Sequence, residues 1–249
     1  MNGLRRKEYL AALGLKSWVL RAGAPAAQPR ALLESALLES PLLDPARPAS
    51  EAPAPLAALR ESAFDWDQLR ARVAACTRCG LNATRTQTVF GVGNLEAQWL
   101  IVGEAPGAEE DRQGEPFVGR AGQLLNSMLR AIGLAREEVY IANVLKCRPP
   151  GNRDPSENES AECLPYLERQ IALLKPRILL AVGRIAAQNL LRTDVSLGRL
   201  RQQAHTFGIS RVPLVATYHP AYLLRTPADK RKAWEDLKFA REVCARVQR

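Results

Sequence analysis

Short apolar runs alternate with segments of helical periodicity through most of the chain after residue 64. Each run is almost continuously hydrophobic, as expected for parallel strands whose two faces are both covered by helices. The segments between the runs repeat apolar residues every three to four positions, which is typical of amphipathic helices. We predict strands at 98–102, 139–145, 178–182 and 212–217, and helices at 121–132, 157–174 and 228–247, with another ending at 191. The alternation predicts an α/β fold: a three-layer α/β/α sandwich with a mainly parallel central sheet.

The first 60 residues follow a different pattern, and we interpret them as a flexible N-terminal extension. Residues 1–21 are basic and amphipathic, whereas residues 22–56 are rich in proline and alanine, a composition that cannot build a core. We place the folded domain at 61–249. Its first helix should start at Asp65-Trp-Asp67, because carboxylates there complement the helix dipole. The extension is either a tether with a docking peptide or an extension without a partner.

A second sequence pattern in the extension favours the tether with a docking peptide. The order Arg5-Arg6, then Leu13-Gly-Leu-Lys-Ser-Trp-Val-Leu-Arg21, resembles the N-terminal peptide of the psi subunit of the bacterial replicative clamp loader. The resemblance is confined to residues 5–21 and implies that residues 1–21 bind a replication protein. Proline-rich linkers are semi-extended, so residues 22–56 would act as the tether.

The charge balance narrows the class of partner. The chain of 249 residues carries 35 Lys+Arg against 26 Asp+Glu, a formal net charge of +9. This balance favours anionic partners, nucleic acid first and acidic membrane surfaces second. No apolar run is long enough to span a membrane, and the N-terminus lacks the apolar core of a signal peptide. We therefore expect a cytoplasmic monomer without a membrane partner, in a compartment where cysteines stay reduced.

Four of the five cysteines form two pairs by their spacing. Cys76 and Cys79 form a Cys-x-x-Cys pair, and Cys147 and Cys163 follow in a second, distant segment. Four thiolates from two segments make a tetrahedral sulfur site that suits zinc or an iron–sulfur cluster, and spacing alone does not separate the two. A redox pair would leave the second pair unexplained, and buried structural thiols are the remaining alternative. Cys244 lies in the last predicted helix, where core packing accounts for it.

Polar and aromatic residues follow the predicted strands where ligands usually bind in α/β proteins. The loop Gly103-Glu-Ala-Pro-Gly107 follows the first strand, and its glycines do not match a phosphate-loop pattern. Asn143 ends the second strand, and its amide complements a carbonyl beside an imide N–H. Phe117 offers a flat ligand a stacking face, and His219, after the last strand, can donate a hydrogen bond to a departing group. Together these residues predict a pocket.

The motifs around these residues resemble those of the family-4 uracil-DNA glycosylases, the iron–sulfur members of the uracil-DNA glycosylase superfamily. The resemblance covers about residues 64–245 and includes all four paired cysteines. The matching motifs are Gly103-Glu-Ala-Pro-Gly107, Glu109-Glu-Asp111, Gly114-Glu-Pro-Phe-Val-Gly119, Asn143-Val-Leu-Lys-Cys-Arg-Pro-Pro150 and His219-Pro-Ala-Tyr-Leu-Leu-Arg225. The resemblance implies a repair enzyme that flips uracil out of single- or double-stranded DNA and hydrolyses its N-glycosidic bond. The abasic site that remains is a substrate for base excision repair.

The resemblance also implies roles for individual residues. Cys76, Cys79, Cys147 and Cys163 would hold a [4Fe-4S] cluster with a mainly structural role. The uracil pocket would comprise the turn formed by Gly103, Glu104 and Ala105, with Phe117 stacking on the base, Asn143 reading its edge and His219 at its O2 oxygen. In the best-known branch of the superfamily an aspartate activates water at the position of Ala105. Glu104 is our candidate to replace it, and backbone shaping of the pocket is its alternative role.

DNA contacts are expected beyond the pocket. Leu223, Leu224 and Arg225 would form a loop that wedges into the space the base has left. Lys146, Arg148 and Arg153 would contact phosphates. Two other functions stay open: a glycosylase for another deaminated base such as hypoxanthine, and a non-catalytic DNA-binding module tethered to the replication machinery.

Overall fold

A computed structural model describes residues 64–208 and 211–247 of the chain. The predicted N-terminal extension (1–60) and its docking peptide (1–21) lie outside the described residues. In the described part of the chain, no helix combines the length and the apolar composition that a membrane crossing requires.

A six-stranded sheet forms the centre of the domain. Its strands are β1 (Val92–Gly93), β2 (Trp99–Gly103), β3 (Tyr140–Asn143), β4 (Ile178–Val182), β5 (His205–Phe207) and β6 (Val212–Thr217). They lie in the order β1-β3-β2-β4-β6-β5; the four central strands are parallel, and β1 and β5 join the two edges antiparallel. The predicted α/β fold with a mainly parallel sheet is confirmed. The two antiparallel edge strands are short, and the hydrophobic pattern did not predict them.

Helices cover both faces of this sheet. They are α1 (Trp66–Ala74), α2 (Ala108–Gln113), α3 (Arg120–Ala131), α4 (Glu157–Leu174), α5 (Arg184–Leu191), α6 (Leu197–Leu200), α7 (Pro220–Arg225) and α8 (Lys230–Arg246). Successive strand residues point to opposite faces. Ile101 therefore packs with α3 and α8, whereas Leu100 and Val102 pack with α4 and α5. The two resulting cores explain why each central strand is apolar at every position.

Side-chain caps fix the start of two helices at the positions that the sequence indicates. Asp65 accepts a hydrogen bond from the Gln68 N–H, and the Gln68 side chain accepts one from the Asp65 N–H. Ser156 and Glu159 form the same reciprocal arrangement at the start of α4. Such capping boxes satisfy backbone donors that a helix leaves unpaired. The predicted helix 157–174 is confirmed at both ends.

A third and smaller core attaches α1 to the domain. Leu69 and Val73 of α1 pack with Tyr166 of α4 and with Cys147 and Cys163. The described chain thus begins with a helix that is buried against the cysteine segments. This arrangement places the two distant pairs of cysteines in one region of the fold.

Close packing around Phe117 requires a glycine in α3. A β-carbon on Gly122 would lie 1.8 Å from the carbonyl oxygen of Phe117, which is backbone and cannot move aside. Phe117 itself has a φ of 55°, a left-handed conformation that non-glycine residues rarely adopt. The first turn of α3 therefore helps to hold Phe117 in place.

We predict that Gly122→Ala destabilises the domain by about 2 kcal/mol or more, because overpacking forces the Phe117 backbone to shift. Urea unfolding measures the change. Gly198→Ala in α6 is the matched control, since a β-carbon there meets no atom within 4 Å, and it should change stability by less than about 1 kcal/mol. Equal stability of the two variants would contradict the proposed packing constraint.

Candidate functional site

An open cleft of about 430 Å³ lies at the carboxyl edge of the parallel strands. It is lined by the 104–107 turn after β2, by Phe117, by Asn143 at the end of β3 and by His219 after β6. Residues of the 149–154 loop, Tyr222 and Arg225 complete the lining. The structure thus brings together the residues that the sequence placed at three separate strand ends.

Asn143 is the most deeply buried polar residue of this cleft, with 2% of its surface exposed. No hydrogen bond to residues 64–208 or 211–247 satisfies its side-chain amide, although such groups are nearly always paired when buried. Parallel pairing sets Gly103 opposite Asn143, and a β-carbon added to Gly103 would lie 2.4 Å from the Asn143 Oδ1 atom. Gly103 does not line the cleft, but its lack of a side chain leaves room for the amide. The amide is therefore available to a ligand.

Two rings face each other across part of the cleft. The centroids of Phe117 and His219 lie 5.6 Å apart, and the ring planes differ by 31°. The Glu110 carboxylate accepts hydrogen bonds from the Val118 and Gly119 N–H groups at 3.1 and 3.3 Å. These bonds fasten the loop that holds Phe117 in its left-handed conformation. The position of Glu110 in the Glu109-Glu-Asp111 motif did not reveal this role.

His219 is held as a neutral hydrogen-bond donor. Its Nδ1 atom accepts a hydrogen bond from the Ala221 N–H at 3.1 Å, at the start of α7. Burial and, to a lesser extent, the nearby charge of Arg225 lower the pKa of His219 to about 4, against the opposing effect of Glu110. At neutral pH the single ring proton therefore resides on Nε2, the nitrogen left free by that bond.

Glu104 is the first residue after β2, and its surroundings disfavour the charged form of its carboxyl group. Burial, together with the negative charge of Asp154, raises the pKa of Glu104 to about 7, and the positive charge of Arg184 opposes this rise. Asp154 and Arg184 form an ion pair at 2.7 Å. A carboxyl group with a pKa near 7 changes charge in the range where a general base is most useful.

The expected DNA contacts need two corrections. Leu223 is 1% exposed and packs in the core with α3 and α8, so it is not available as a wedge. Lys146 is also 1% exposed, and its ammonium donates to the Asn143 carbonyl and to Gln170, so it does not reach a phosphate. The positions of Leu223 and Lys146 in their sequence motifs could not reveal that these side chains are buried. Leu224 and Arg225 are exposed beside the cleft, consistent with the prediction.

The other two cations are exposed to different degrees and have internal partners. Arg148 donates to the Asn152 side chain at 2.7 Å. Arg153 forms two hydrogen bonds with the Glu159 carboxylate, at 2.6 and 2.8 Å. Asn152, Arg153 and Asp154 line the cleft; the sequence predicted a phosphate contact for Arg153 and no role for the other two. The Pro-Pro-Gly-Asn loop gave no helical or strand signal from which to place them.

The four paired cysteines line one small cavity. It lies between α1, the segment after it, the segment that follows β3 and α4, and Arg78, Arg85 and Tyr166 also line it. Cys147 accepts a hydrogen bond from the Arg85 guanidinium at 3.1 Å, and Cys163 accepts one from the Lys146 N–H at 3.2 Å. Cys244 packs in the core of α3 and α8 instead. The two pairs, 68 positions apart, thus meet as the spacing predicted.

The chemistry of this cavity suits a bound group better than free thiolates. Burial raises the pKa of Cys163 to about 12 and also raises that of Cys147, so without a metal both stay protonated. Within residues 64–208 and 211–247, no three Cys, His, Asp or Glu side chains lie close enough together for a single ion. Four sulfurs around a shared space are the donor set that an iron–sulfur cluster uses.

An α/β/α sandwich with an amide, an imidazole and a phenyl ring in one cleft defines a site for a flat, polar ligand. The family model described as the uracil DNA glycosylase superfamily matches residues 90–238. A type-4 uracil-DNA glycosylase of Archaeoglobus fulgidus is 43% identical over 188 residues, which span 73% of this chain and 94% of that protein. Type-4 uracil-DNA glycosylases of Pyrobaculum aerophilum and Thermotoga maritima are 44% and 42% identical, over 70% and 68% of this chain and 92% and 90% of theirs.

Similarity extends more weakly to another branch. A type-5 uracil-DNA glycosylase of Thermus thermophilus is 36% identical over 134 residues, 48% of this chain and 59% of that protein. The family match covers more than half of the chain, and the type-4 relatives match more of it than this type-5 protein does. The chain belongs to the uracil DNA glycosylase superfamily.

We predict that Glu104→Gln stabilises the domain at pH 8 but not at pH 4. The folded pKa of about 7 exceeds the ordinary value of 4.5, so folding takes up a proton and the free energy of unfolding falls as pH rises between these values. Glutamine carries no charge, so the variant avoids this loss. We expect a gain of about 1–2 kcal/mol at pH 8, less than the full pKa shift implies, because solvent screens part of the carboxylate charge. Urea unfolding of both proteins at each pH measures the difference.

Glu109→Gln is the control for this experiment. Glu109 is exposed and paired with Arg112, which lowers its pKa, so its replacement should give no gain at pH 8. A Glu104→Gln variant that gains no stability at pH 8 relative to pH 4 would show that the folded carboxyl titrates in its ordinary range.

Proposed function

We propose that this chain is a DNA repair enzyme that flips uracil out of DNA and hydrolyses its N-glycosidic bond, leaving an abasic site. The observation that carries the proposal is the buried, unpaired amide of Asn143 in a cleft that also holds Phe117 and His219. Membership of the superfamily and the names of the type-4 relatives support the same activity.

Base recognition follows from the geometry of the amide. One carbonyl and one NH₂ group complement the N3–H and O4 of uracil, whereas cytosine presents the opposite pattern. Selection is strong at such a site because a mismatched base leaves a buried polar group unpaired. The Phe117 ring gives the base a stacking face, and the same ring or the 103–107 turn would exclude the methyl group of thymine.

Bond cleavage leaves negative charge on uracil, and His219 would stabilise it. The neutral imidazole donates through Nε2, which is free because Nδ1 is bonded to the Ala221 N–H. A fixed donor aimed at developing charge lowers the barrier without reorganisation during the reaction. The sugar acquires cationic character, which the DNA phosphates would offset.

Glu104 would position or activate the attacking water. Ala105 has no polar side chain, so the adjacent carboxylate is the nearest candidate on the turn. Its pKa of about 7 leaves a substantial ionised fraction at neutral pH. Activity that depends on this carboxylate should therefore rise as pH increases through 7.

The flipped state needs contacts outside the pocket. Extruding a base costs a few kcal/mol, least where the base is mismatched or already unpaired. The exposed Leu224 and Arg225 lie on the short helix α7 that begins after His219, so they would contact DNA beside the empty position. The net charge of +9 favours attraction of the phosphate backbone.

The proposal includes a [4Fe-4S] cluster on Cys76, Cys79, Cys147 and Cys163. Support comes from the cavity that the four cysteines share and from the N–H donors to two of the sulfurs. The cluster would supply a cross-link between the two chain segments, with no part in the chemistry on DNA. Zinc is the less favoured occupant.

Three further assignments belong to this proposal. The enzyme would act as a monomer in the cytoplasm, where the reduced cysteines can hold the cluster. Residues 1–21 would bind a replication protein of the clamp-loader type, and residues 22–56 would act as the tether.

We predict that the protein releases uracil from single- and double-stranded uracil-containing oligonucleotides. Glu104→Ala should lower kcat by about 100-fold or more, because the water loses its positioning group, while DNA binding changes little. Release kinetics and a DNA-binding titration measure the two effects. Glu109→Ala, an exposed carboxylate on α2, should behave like the wild type.

Two outcomes would count against this assignment. No uracil release by a folded, DNA-binding wild-type protein would exclude the enzymatic function. Wild-type turnover of Glu104→Ala would remove Glu104 from the catalytic residues and leave it a shaping role.

We predict that anaerobically purified protein is brown and contains about four iron and four acid-labile sulfide per chain. Cys163→Ser should lose most of this iron and the visible absorbance, whereas Cys244→Ser should retain both because Cys244 packs in a different core. A colourless protein with about one zinc per chain would favour the zinc alternative.

A further inference from the structure

Lys146 is a buried cation whose position is not explained by DNA binding. It is 1% exposed, and its ammonium donates to the Asn143 carbonyl at 2.8 Å and to the Gln170 Oε1 at 2.7 Å. Gln170 is itself fixed by a hydrogen bond from its NH₂ group to the Phe90 carbonyl at 2.9 Å. The ammonium is therefore held in one place by two neutral acceptors.

A buried charge normally requires an opposite charge nearby. Among the residues that the structure describes, no carboxylate forms an ion pair with Lys146. The cavity that Lys146 lines is formed by the four cysteines, and its own N–H donates to the Cys163 sulfur at 3.2 Å. The Cys147 and Cys163 sulfurs, as thiolates bound to a metal, would supply that opposite charge.

The same lysine connects this cavity to the base pocket through a short stretch of chain. Asn143 and Cys147 are four residues apart, and Lys146 folds back between them to bind the Asn143 carbonyl. Val144 and Leu145 continue the pairing with the β2 turn through hydrogen bonds to the Gly103 and Glu104 carbonyls, both at 3.0 Å. The segment 143–147 is thus anchored by hydrogen bonds at each of these positions.

We propose that Lys146 is a positioning residue that couples the cysteine site to the uracil pocket: its ammonium balances the charge of the metal-bound thiolates and fixes the Asn143 end of the segment. The proposal rests on the proposed function for the identity of the ligand. It assigns the lysine to both sites at once, so that removal of its charge loosens metal binding and base recognition together.

The first test is Lys146→Met in cluster-loaded protein, which keeps the length of the side chain and removes the charge and the donors. Iron release to a ferrous chelator should be faster by about tenfold or more, as expected for loss of a group that supports metal ligands. Free uracil should inhibit the enzyme about tenfold more weakly, and kcat should fall while KM for DNA stays nearly constant. Lys238→Met on α8, outside both sites, is the matched control and should leave all of these unchanged.

Each outcome decides the proposal. A folded Lys146→Met protein with wild-type iron release and wild-type uracil inhibition overturns it. One effect without the other also overturns it, because the lysine would then serve only one site. The iron-release measurement needs no turnover, so it still bears on the cysteine site if the wild type proves to release no uracil from DNA.

Gln170→Glu provides the second test where Lys146→Met does not fold. The substitution keeps the shape of the side chain and gives the ammonium a carboxylate partner that competes with the thiolates, although the hydrogen bond from the Gln170 NH₂ group to the Phe90 carbonyl is lost. Iron release should be about tenfold faster. Wild-type iron release by this variant overturns the proposal, since a lysine with only a structural role would gain from the new ion pair.

Discussion

The register between β2 and β3 is the constraint on which the site depends. It sets Gly103 opposite Asn143 and continues as hydrogen bonds from Val144 and Leu145 to the β2 turn. A slip by one residue would turn the Asn143 side chain to the other face of the sheet and place a side chain where Gly103 leaves space. Because both strands are buried on both faces, the hydrophobic pattern alone does not prevent this slip, and the register depends on how individual side chains fit the two cores.

Several groups in the cleft are held in states that do not favour stability. The Asn143 amide is buried without a partner, Phe117 has a left-handed backbone, and burial opposes the charged form of Glu104. Such local strain persists only where the surroundings determine the conformation. Here Glu110 and the packing of Gly122 against the backbone supply that support on one side.

The cysteine cavity and the cleft are neighbours along the chain as well as in space. The segment that begins at the end of β3 carries Asn143 at its start and Cys147 at its end, with the buried Lys146 between them. The loop that follows, 149–154, contributes residues to the cleft. A group bound by the cysteines would therefore fix the ends of the segments that shape the pocket, although it takes no part in the chemistry proposed for the base.

The sequence by itself determined the sheet, the principal helices and the residues that meet in the cleft. Continuous apolar runs and helical periods are local patterns, and strand ends of a parallel sheet converge by geometry, so Asn143 and His219 could be placed from their positions in the chain. The cysteine spacing likewise predicted that two distant pairs meet. Only the tertiary structure decided burial: Lys146 and Leu223 belong to motifs expected to touch DNA, yet both side chains point into the protein. It also decided the short edge strands and the roles of Glu110 and Asp154, because these depend on contacts between residues far apart in the chain, which no local pattern encodes.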